Sequence, residues 1–412
     1  MAEDSLARRT IIGTGWMVVW RMLTRGLGLA STLVLARLLV PADFGIVAMA
    51  GLFSTIVEGL SQVGLATALI RHPTRDRSLF DTAWTLQVLR ALLVAAMLAA
   101  SAPFAAWWFD ETRLTAVVLV MATMSVITGF DNIALIEFQR DMRFGRYFLV
   151  LAAPRLLQVM VTISAALMLQ SYWALILGIV AGRLSTSAMS YLIHPYRPGF
   201  RLDGWREFAH FSFWTWAASL AGLVRGRSDW FVLGPVSGPA GLGLYMLADE
   251  TAILPVTELI GPAATALFAG FSEAQRRGGT SHLAIRVATT LLLFSAPVTI
   301  AVSASAPHVV AALLGAKWAA AEPLIAILAW QCLFIPFSAI CSQFLIVRGL
   351  VELNFYGTLS AAVIKLVATL VAVAFWRDLD TIALAITLVI AAEATIYIVM
   401  LRMAGETGLR AN

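Results

Sequence analysis

The sequence predicts an all-α, polytopic membrane protein with about twelve transmembrane helices in two six-helix lobes. Its 412 residues are 60% hydrophobic and only 13% charged, whereas soluble domains average about 25% charged residues. The mean hydropathy is +0.84, and the apolar residues are spread over the whole length. Together, these observations predict a chain that crosses the membrane many times.

Twelve apolar stretches are long enough to cross a bilayer, which takes about 20 residues. We predict spans at 11–36, 43–69, 80–107, 114–137, 147–169 and 172–194 in the first half, and at 208–234, 240–270, 284–308, 320–346, 354–376 and 380–401 in the second. The first apolar run has no small-residue cleavage site, so we expect a retained helix rather than a signal peptide.

The loops between the spans differ in basic charge. With the N-terminus on the cytoplasmic side, the outer loops hold only Arg37, Arg113, Lys317 and Arg377, and the inner segments hold many more arginines. Because basic residues mark cytoplasmic loops, both termini are expected to face the cytoplasm.

A break between two spans recurs in each half. In LARLLVPADFGIVAMA, Pro41 interrupts an apolar run and Asp43 can cap the next helix. In PAGLGLYMLA the pattern returns at Pro239, 198 positions after Pro41. Matched broken hairpins are typical of internally duplicated transporters. Since each half has six spans, we predict parallel repeats, with an N-terminal lobe at 1–200 and a C-terminal lobe at 201–412.

Charged residues lie inside the predicted spans, where each costs about 2.5–3.5 kcal/mol and usually faces a cavity or a partner. The fourteen that lie away from the span ends are Arg21, Arg25, Glu58, Arg90, Arg155, Arg183, Arg225, Arg227, Asp229, Asp249, Glu250, Glu258, Lys365 and Glu393. Nine of these fourteen fall on spans one, two, seven and eight, which also carry the repeated break. We therefore predict a water-filled cavity between the two halves.

Three arginines are candidates for binding an anionic substrate. Arg21 and Arg25 are four residues apart and share one helical face, so their guanidinium groups can grip a phosphate with paired donors. The alternative is that each pairs with an internal carboxylate and fixes helix packing. Arg225 and Asp229 are also four apart and are expected to bridge each other, which leaves Arg227 as the third candidate.

Three acidic residues, Glu58, Asp229 and Glu250, are candidates for carrying a coupling ion or for orienting the arginines; internal ion pairing is the alternative. We expect no catalytic residues, cofactor or metal. The five histidines stand apart in sequence, and no glycine-rich loop with a lysine is present to cradle a nucleotide. No feature favours a nucleic-acid partner.

Five segments resemble one known family: ARLLVPADFGIVAMA, VGLATALIRHP, FQRDMRFGRY, RSDWFVLGPVSGPAGLGLYMLA and LLGAKWAAAEPLIAILA. They are similar to bacterial polysaccharide exporters and Wzx-type oligosaccharide flippases of the multidrug/oligosaccharidyl-lipid/polysaccharide (MOP) exporter superfamily. The pattern around Asp229, Gly234, Gly243 and Tyr245 resembles the polysaccharide branch. The chain departs from the family at Ala269, where proline is usual.

The resemblance implies a MOP/MATE-like fold in the bacterial inner membrane and no enzymatic activity. It implies alternating-access transport of an undecaprenyl-pyrophosphate-linked oligosaccharide for lipopolysaccharide, exopolysaccharide or capsule. The expected partners are the lipid-linked oligosaccharide, the bilayer, glycan polymerase or assembly proteins, and a coupling H⁺ or Na⁺. The alternatives are a drug or cation antiporter, a flippase for the peptidoglycan lipid precursor, and a membrane glycan polymerase.

Overall fold

In the computed structural model, the described residues are 2–61, 69, 76–141, 143–203, 213–276 and 281–409. Helices dominate them, and no strand occurs within these ranges. The chain divides into two compact units, Met1–Phe211 (unit 1) and Ser212–Asn412 (unit 2). The predicted parallel repeat and the lobe limits at 1–200 and 201–412 stay predictions.

The described residues of unit 1 form six long helices and one short one. They are α1 (Ala2–Leu38), α2 (Pro41–Leu60), α3 (Arg77–Trp108), α4 (Arg113–Gly129), the short α5 (Ile136–Arg140), α6 (Phe144–Leu169) and α7 (Trp173–Ile193). Helix α6 packs against α7 and α1, and α3 packs against α4 and α2. A buried cluster that includes Phe80, Trp84 and Ile133 forms part of the core at one end of α3.

Unit 2 begins with a long helix, α8 (Phe213–Arg276), whose only non-helical residue is Gly238. It continues with α9 (Ser281–Val309), α10 (Ala321–Leu328), α11 (Gln331–Val347), α12 (Val351–Phe375) and α13 (Leu379–Leu409). Helix α12 packs against α8 and α13, and α11 packs against α8, α9 and α13. Phe337, Phe344 and Tyr397 belong to the buried core between α11 and α13.

The helices confirm the predicted all-α, polytopic fold. Divided at Gly238, and with α10 and α11 taken as one span, they supply the twelve predicted spans. Among the described residues, nine helices are long and apolar enough to cross a membrane, with α8 counted once. Many large apolar side chains face outward, such as Met168 at 84% and Leu192 at 80% exposure, as expected of a lipid-facing surface.

One span limit differs from the prediction, and another lies outside the described residues. Span four, predicted over 114–137, ends as α4 at Gly129. The Asn132 side chain then accepts a hydrogen bond from the N–H of Ala134 and caps a 3₁₀ turn, because asparagine satisfies the free donors at a helix start. The end of span two, predicted to reach residue 69, crosses residues 62–68, which lie outside the described residues.

The first predicted break lies between α1 and α2. Pro41 is the first residue of α2, a position where its missing N–H costs nothing. Asp43 is the third residue of α2 rather than its N-cap as predicted, and its Oδ2 accepts a hydrogen bond from the N–H of the N-cap residue Val40 at 3.1 Å. Its Oδ1 accepts from the N–H of Tyr172 at 2.9 Å, so this carboxylate also joins the starts of α2 and α7.

The second break uses glycine instead of a capping carboxylate. Gly241 stands at the position that corresponds to Asp43, and a Cβ there would lie 2.5 Å from Ser237 Cβ. Gly238, directly before Pro239, adopts a φ of 64°, a conformation that glycine reaches without steric cost. The break at Pro239 is therefore present, but Gly238 makes it.

Candidate functional site

The most heavily charged interior of unit 2 is a cavity of about 190 Å³. Both segments of α8 contribute to its walls, together with α11, α12 and α13. Its charged and polar lining residues are Arg225, Asp229, Asp249, Gln331, Ser338, Lys365 and Glu393. Every one of them lies within a membrane-crossing helix, where polar side chains are rare and usually functional.

A buried ion pair joins α8 to α12 at this cavity. Lys365 Nζ lies 3.1 Å from Asp229 Oδ2, and the two side chains are 7% and 4% exposed. Lys365 Nζ also donates to the backbone carbonyl of Arg225 at 3.0 Å. The buried Tyr245 hydroxyl donates to Asp229 Oδ2 at 3.0 Å. Asp229 is thus held by a cation and a neutral donor on the same oxygen.

A second ion pair joins α8 to α13. Arg225 Nη1 lies 3.2 Å from Glu393 Oε2, and the Glu393 side chain is 4% exposed. The predicted bridge between Arg225 and Asp229 is therefore wrong. Each residue has a partner on a different helix, because tertiary packing brings Lys365 and Glu393 to α8.

Several buried polar atoms at this cavity lack a protein partner. Asp229 Oδ1, Glu393 Oε1, Gln331 Nε2 and Ser338 Oγ make no hydrogen bond, and all four residues line the cavity. An unsatisfied buried polar group costs about 1–3 kcal/mol. The cavity therefore offers both hydrogen-bond acceptors and donors to a small polar ligand.

Unit 1 has a separate cavity of about 310 Å³. Its charged and amide lining residues are Glu58, Gln87, Arg90, Asp131 and Arg183. Arg90 donates through Nε to Ser61 Oγ at 3.3 Å and through Nη2 to the Glu58 carbonyl at 3.4 Å. Gln87 donates to the carbonyls of Gly129 and Asp131. This cavity offers guanidinium, amide and carboxylate groups to one guest.

The paired arginines Arg21 and Arg25 lie within α1, so they share one helical face as predicted. Arg21 is half-buried and Arg25 is exposed. Nearby, Trp16 and Trp20 pack on Phe148 of α6, with ring centroids 5.1 and 6.0 Å apart. These contacts fix α1 on unit 1, and the two tryptophans act as packing residues.

The other sequence candidates are divided between different environments. Asp229 lines the unit 2 cavity and Glu58 lines the unit 1 cavity. The Arg227 guanidinium lies 4.0 Å from the Trp230 ring centroid, a cation–π contact that holds it in place. Glu250 is exposed on α8. The structure therefore does not bring the six candidates into one described cavity.

Sequence reasoning did not assign Lys365, Glu393, Arg90 and Arg183 to a site. Their signal was present, because each is a charge within a predicted span. The neutral Gln331 carries no such signal. Among the described residues, no three His, Cys, Asp or Glu side chains are grouped to hold a metal ion.

Comparison with protein families gives one match over most of the chain. Residues 34–323 match a family described as polysaccharide biosynthesis protein. The succinoglycan biosynthesis transport protein ExoT of Rhizobium meliloti is 25% identical over 332 residues, which are 78% of this chain and 66% of that protein. The lipopolysaccharide biosynthesis protein WzxC of Escherichia coli is 22% identical over 79% of this chain and 67% of that protein. The chain thus spans about two thirds of the length of these relatives.

A third relative is the teichuronic acid biosynthesis protein TuaB of Bacillus subtilis, 20% identical over 85% of this chain and 74% of that one. Among solved structures, an inward-facing multidrug resistance MATE family transporter of the MOP superfamily aligns over 96% of this chain and 98% of its own, with TM-score 0.69 and 15% identity. The lipid II flippase MurJ, in an inward closed conformation, aligns over 95% of this chain and 87% of its own, with TM-score 0.73 and 11% identity. These likenesses confirm the predicted MOP-type fold.

Proposed function

Because this chain belongs to the polysaccharide biosynthesis protein family, we propose that it is a multi-pass transporter that moves a lipid-linked oligosaccharide repeat unit across the bacterial inner membrane. The carrier lipid is undecaprenyl pyrophosphate, transport is by alternating access, and the protein performs no covalent chemistry. The observation that carries the proposal is the family match at 34–323, which runs through unit 1 and far into unit 2.

The relatives support a glycan substrate. Their names refer to succinoglycan, lipopolysaccharide and teichuronic acid, three different bacterial polysaccharides. One of them is itself named a transport protein. The shared role would be export of a repeat unit, with the sugar composition differing between proteins. Glycan polymerase and assembly proteins are then the expected partners on the outer face.

The polar interiors of the two units support movement of a polar headgroup through the membrane. A sugar chain offers many hydroxyl groups, and guanidinium, amide and carboxylate side chains bind them with hydrogen bonds. Unit 1 presents these groups at its cavity through Arg90, Gln87 and Glu58. An apolar lipid carrier would stay in the bilayer while its headgroup crosses.

We assign the pyrophosphate to Arg21 and Arg25, with Arg227 as a further ligand for phosphate or an acidic sugar. Two guanidinium groups on one helical face match the several oxygens of a pyrophosphate. A lysine supplies the charge without the planar fork, so replacement by lysine should preserve only part of the function. The distribution of basic loops supports a cytoplasmic location for both termini.

The test is glycan export in a strain that lacks the chromosomal gene and carries variants of it. Arg21→Ala combined with Arg25→Ala should abolish export, while membrane fractionation shows a normally inserted protein. Arg37→Ala is the matched control, because Arg37 lies in the last turn of the same helix, and it should support export. Normal export by the double variant would exclude the proposed binding of the pyrophosphate by Arg21 and Arg25.

A further inference from the structure

The charges at the unit 2 cavity do not balance. Asp229, Asp249 and Glu393 are three carboxyl groups, and Arg225 and Lys365 are two cations. Lys365 is bound to Asp229 and Arg225 to Glu393, so each cation already has one carboxylate. Asp249 is left as the third acid. A buried charge without a counter-charge is costly, and such groups usually become neutral instead.

We propose that this cavity is a proton-binding site, in which Asp249 takes up and releases one exchangeable proton. This inference rests on the proposed transport function, for which the proton would be the coupling ion. One proton makes the five charged groups that line the cavity neutral, with two ion pairs and one protonated carboxyl; Glu250 and Arg227 also act on Asp249, with opposite signs. The unpaired Asp229 Oδ1 and Glu393 Oε1 are acceptors at the same cavity, so a carboxyl proton there has acceptors within the site.

A proton fits this site better than a metal cation does. Lys365 and Arg225 already supply two positive charges at the cavity wall and would repel a further cation. They also occupy Asp229 Oδ2 and Glu393 Oε2, which leaves fewer carboxylate oxygens for the six or more ligands that a calcium or magnesium ion takes. A proton requires only one carboxyl oxygen and one acceptor.

The charged groups acting on Asp249 come from several helices. On α8 they are Asp229, Glu250 and Arg227, and on α12 the group is Lys365. Glu393 on α13 and Arg225 on α8 line the same cavity. When Asp249 loses its proton, it competes with Asp229 for the Lys365 ammonium group, which has three donors on a long stem.

This competition would change how the two segments of α8 are held. Asp229 lies before the break at Gly238 and Asp249 lies after it. With Asp249 protonated, Lys365 ties α12 to the first segment through Asp229. With Asp249 ionised, Lys365 is drawn toward the second segment as well. Proton release would thus shift the Lys365 interaction from the segment of α8 before Gly238 toward the segment after it.

The test is infrared difference spectroscopy of the purified full-length protein at neutral pH, without substrate. The C=O stretch of a protonated carboxyl is separate from the bands of carboxylates. The proposal predicts one protonated carboxyl in the wild type and loss of its band in Asp249→Asn. Glu352→Gln, a change of an exposed acid in the first turn of α12, is the control and should retain the band.

A second pair of variants tests whether the number of protonated carboxyl groups can also be increased. Lys365→Met removes one of the two cations at the cavity, so charge balance requires a second proton there and the band should double. Asp229→Asn combined with Lys365→Met removes both charges, and the single band should return. A band that persists in Asp249→Asn would overturn the proposal, and so would thermal stabilisation by Na⁺ that Asp249→Asn abolishes.

These outcomes are separate from the proposed substrate. If the band behaves as predicted but deletion of the gene leaves glycan export normal, then the proton site stands and the glycan assignment fails. If export depends on the protein but Asp249→Asn leaves the spectrum unchanged, then the transport proposal stands and the proton site fails.

Discussion

Replacing Lys365 with methionine removes the cation that neutralises Asp229 and keeps a side chain of similar length. Lys365 Nζ lies 3.1 Å from Asp229 Oδ2, and both side chains are almost fully buried. After the change, the Tyr245 hydroxyl is the remaining donor to that carboxylate. Asp229 has then lost its counter-charge in the interior of unit 2.

The expected loss of stability is large, because removing one partner of a buried ion pair typically costs about 3–5 kcal/mol. For a domain of 150–250 residues, each kcal/mol lowers the melting temperature by about 2–4 °C, so the melting temperature should fall by about 6–20 °C.

The protein contains its own reporter of unfolding. Its two cysteines, Cys332 and Cys341, are free and fully buried in unit 2. A dye that fluoresces on reaction with thiols will therefore respond when this unit opens. Heating the detergent-solubilised variants with such a dye gives their melting temperatures side by side.

The control is Asp229→Asn combined with Lys365→Met, which removes both charges and should recover most of the lost stability. The reasoning would be refuted if Lys365→Met alone had the same melting temperature as the wild type. It would equally be refuted by a double variant that is no more stable than Lys365→Met alone, since the unpaired Asp229 would then not be the cause.

Two further predictions concern the backbone and the loop between α3 and α4. Gly238→Ala should lower stability by about 1–2 kcal/mol, because the φ of 64° at Gly238 is left-handed. The control Gly222→Ala changes a glycine in helical backbone with open space around it, and it should raise stability by about 0.5–1 kcal/mol. Equal melting temperatures for the two variants would contradict this prediction. The hydrogen bond from Arg113, with its charge, lowers the pKa of Glu111. This pair stabilises the folded state above the unfolded-state pKa of Glu111 and less as pH falls, so the stability difference between the wild type and Arg113→Gln should shrink in acid; a difference that does not change with pH would contradict it.

The local features of the fold could be predicted because they depend on short stretches of sequence. Hydropathy located the spans, since crossing a bilayer requires about 20 apolar residues wherever they occur. Pro41 and Asp43 together specify a helix start, and the structure shows both in those roles. The second break was located at Pro239, but the left-handed residue is Gly238, which has the same conformational freedom as any other glycine until the chain is folded.

The partners of the buried charges could not be predicted in the same way. The spacing of Arg225 and Asp229 favours an i,i+4 bridge, and each instead pairs with a helix far along the chain. Which helices meet depends on packing between elements, and the sequence alone does not specify it. The same holds for Glu58, which lines a cavity with Arg90 because α2 and α3 pack together.

The central claim is that this protein moves a completed, lipid-linked repeat unit across the membrane. The most direct measurement is mass spectrometry of undecaprenyl-linked intermediates in a strain that lacks the protein. The account predicts that the complete repeat unit accumulates, because the sugars are assembled but not moved. Truncated units would contradict it and indicate an enzyme of assembly, and unchanged intermediates would contradict it in favour of a drug or cation antiporter.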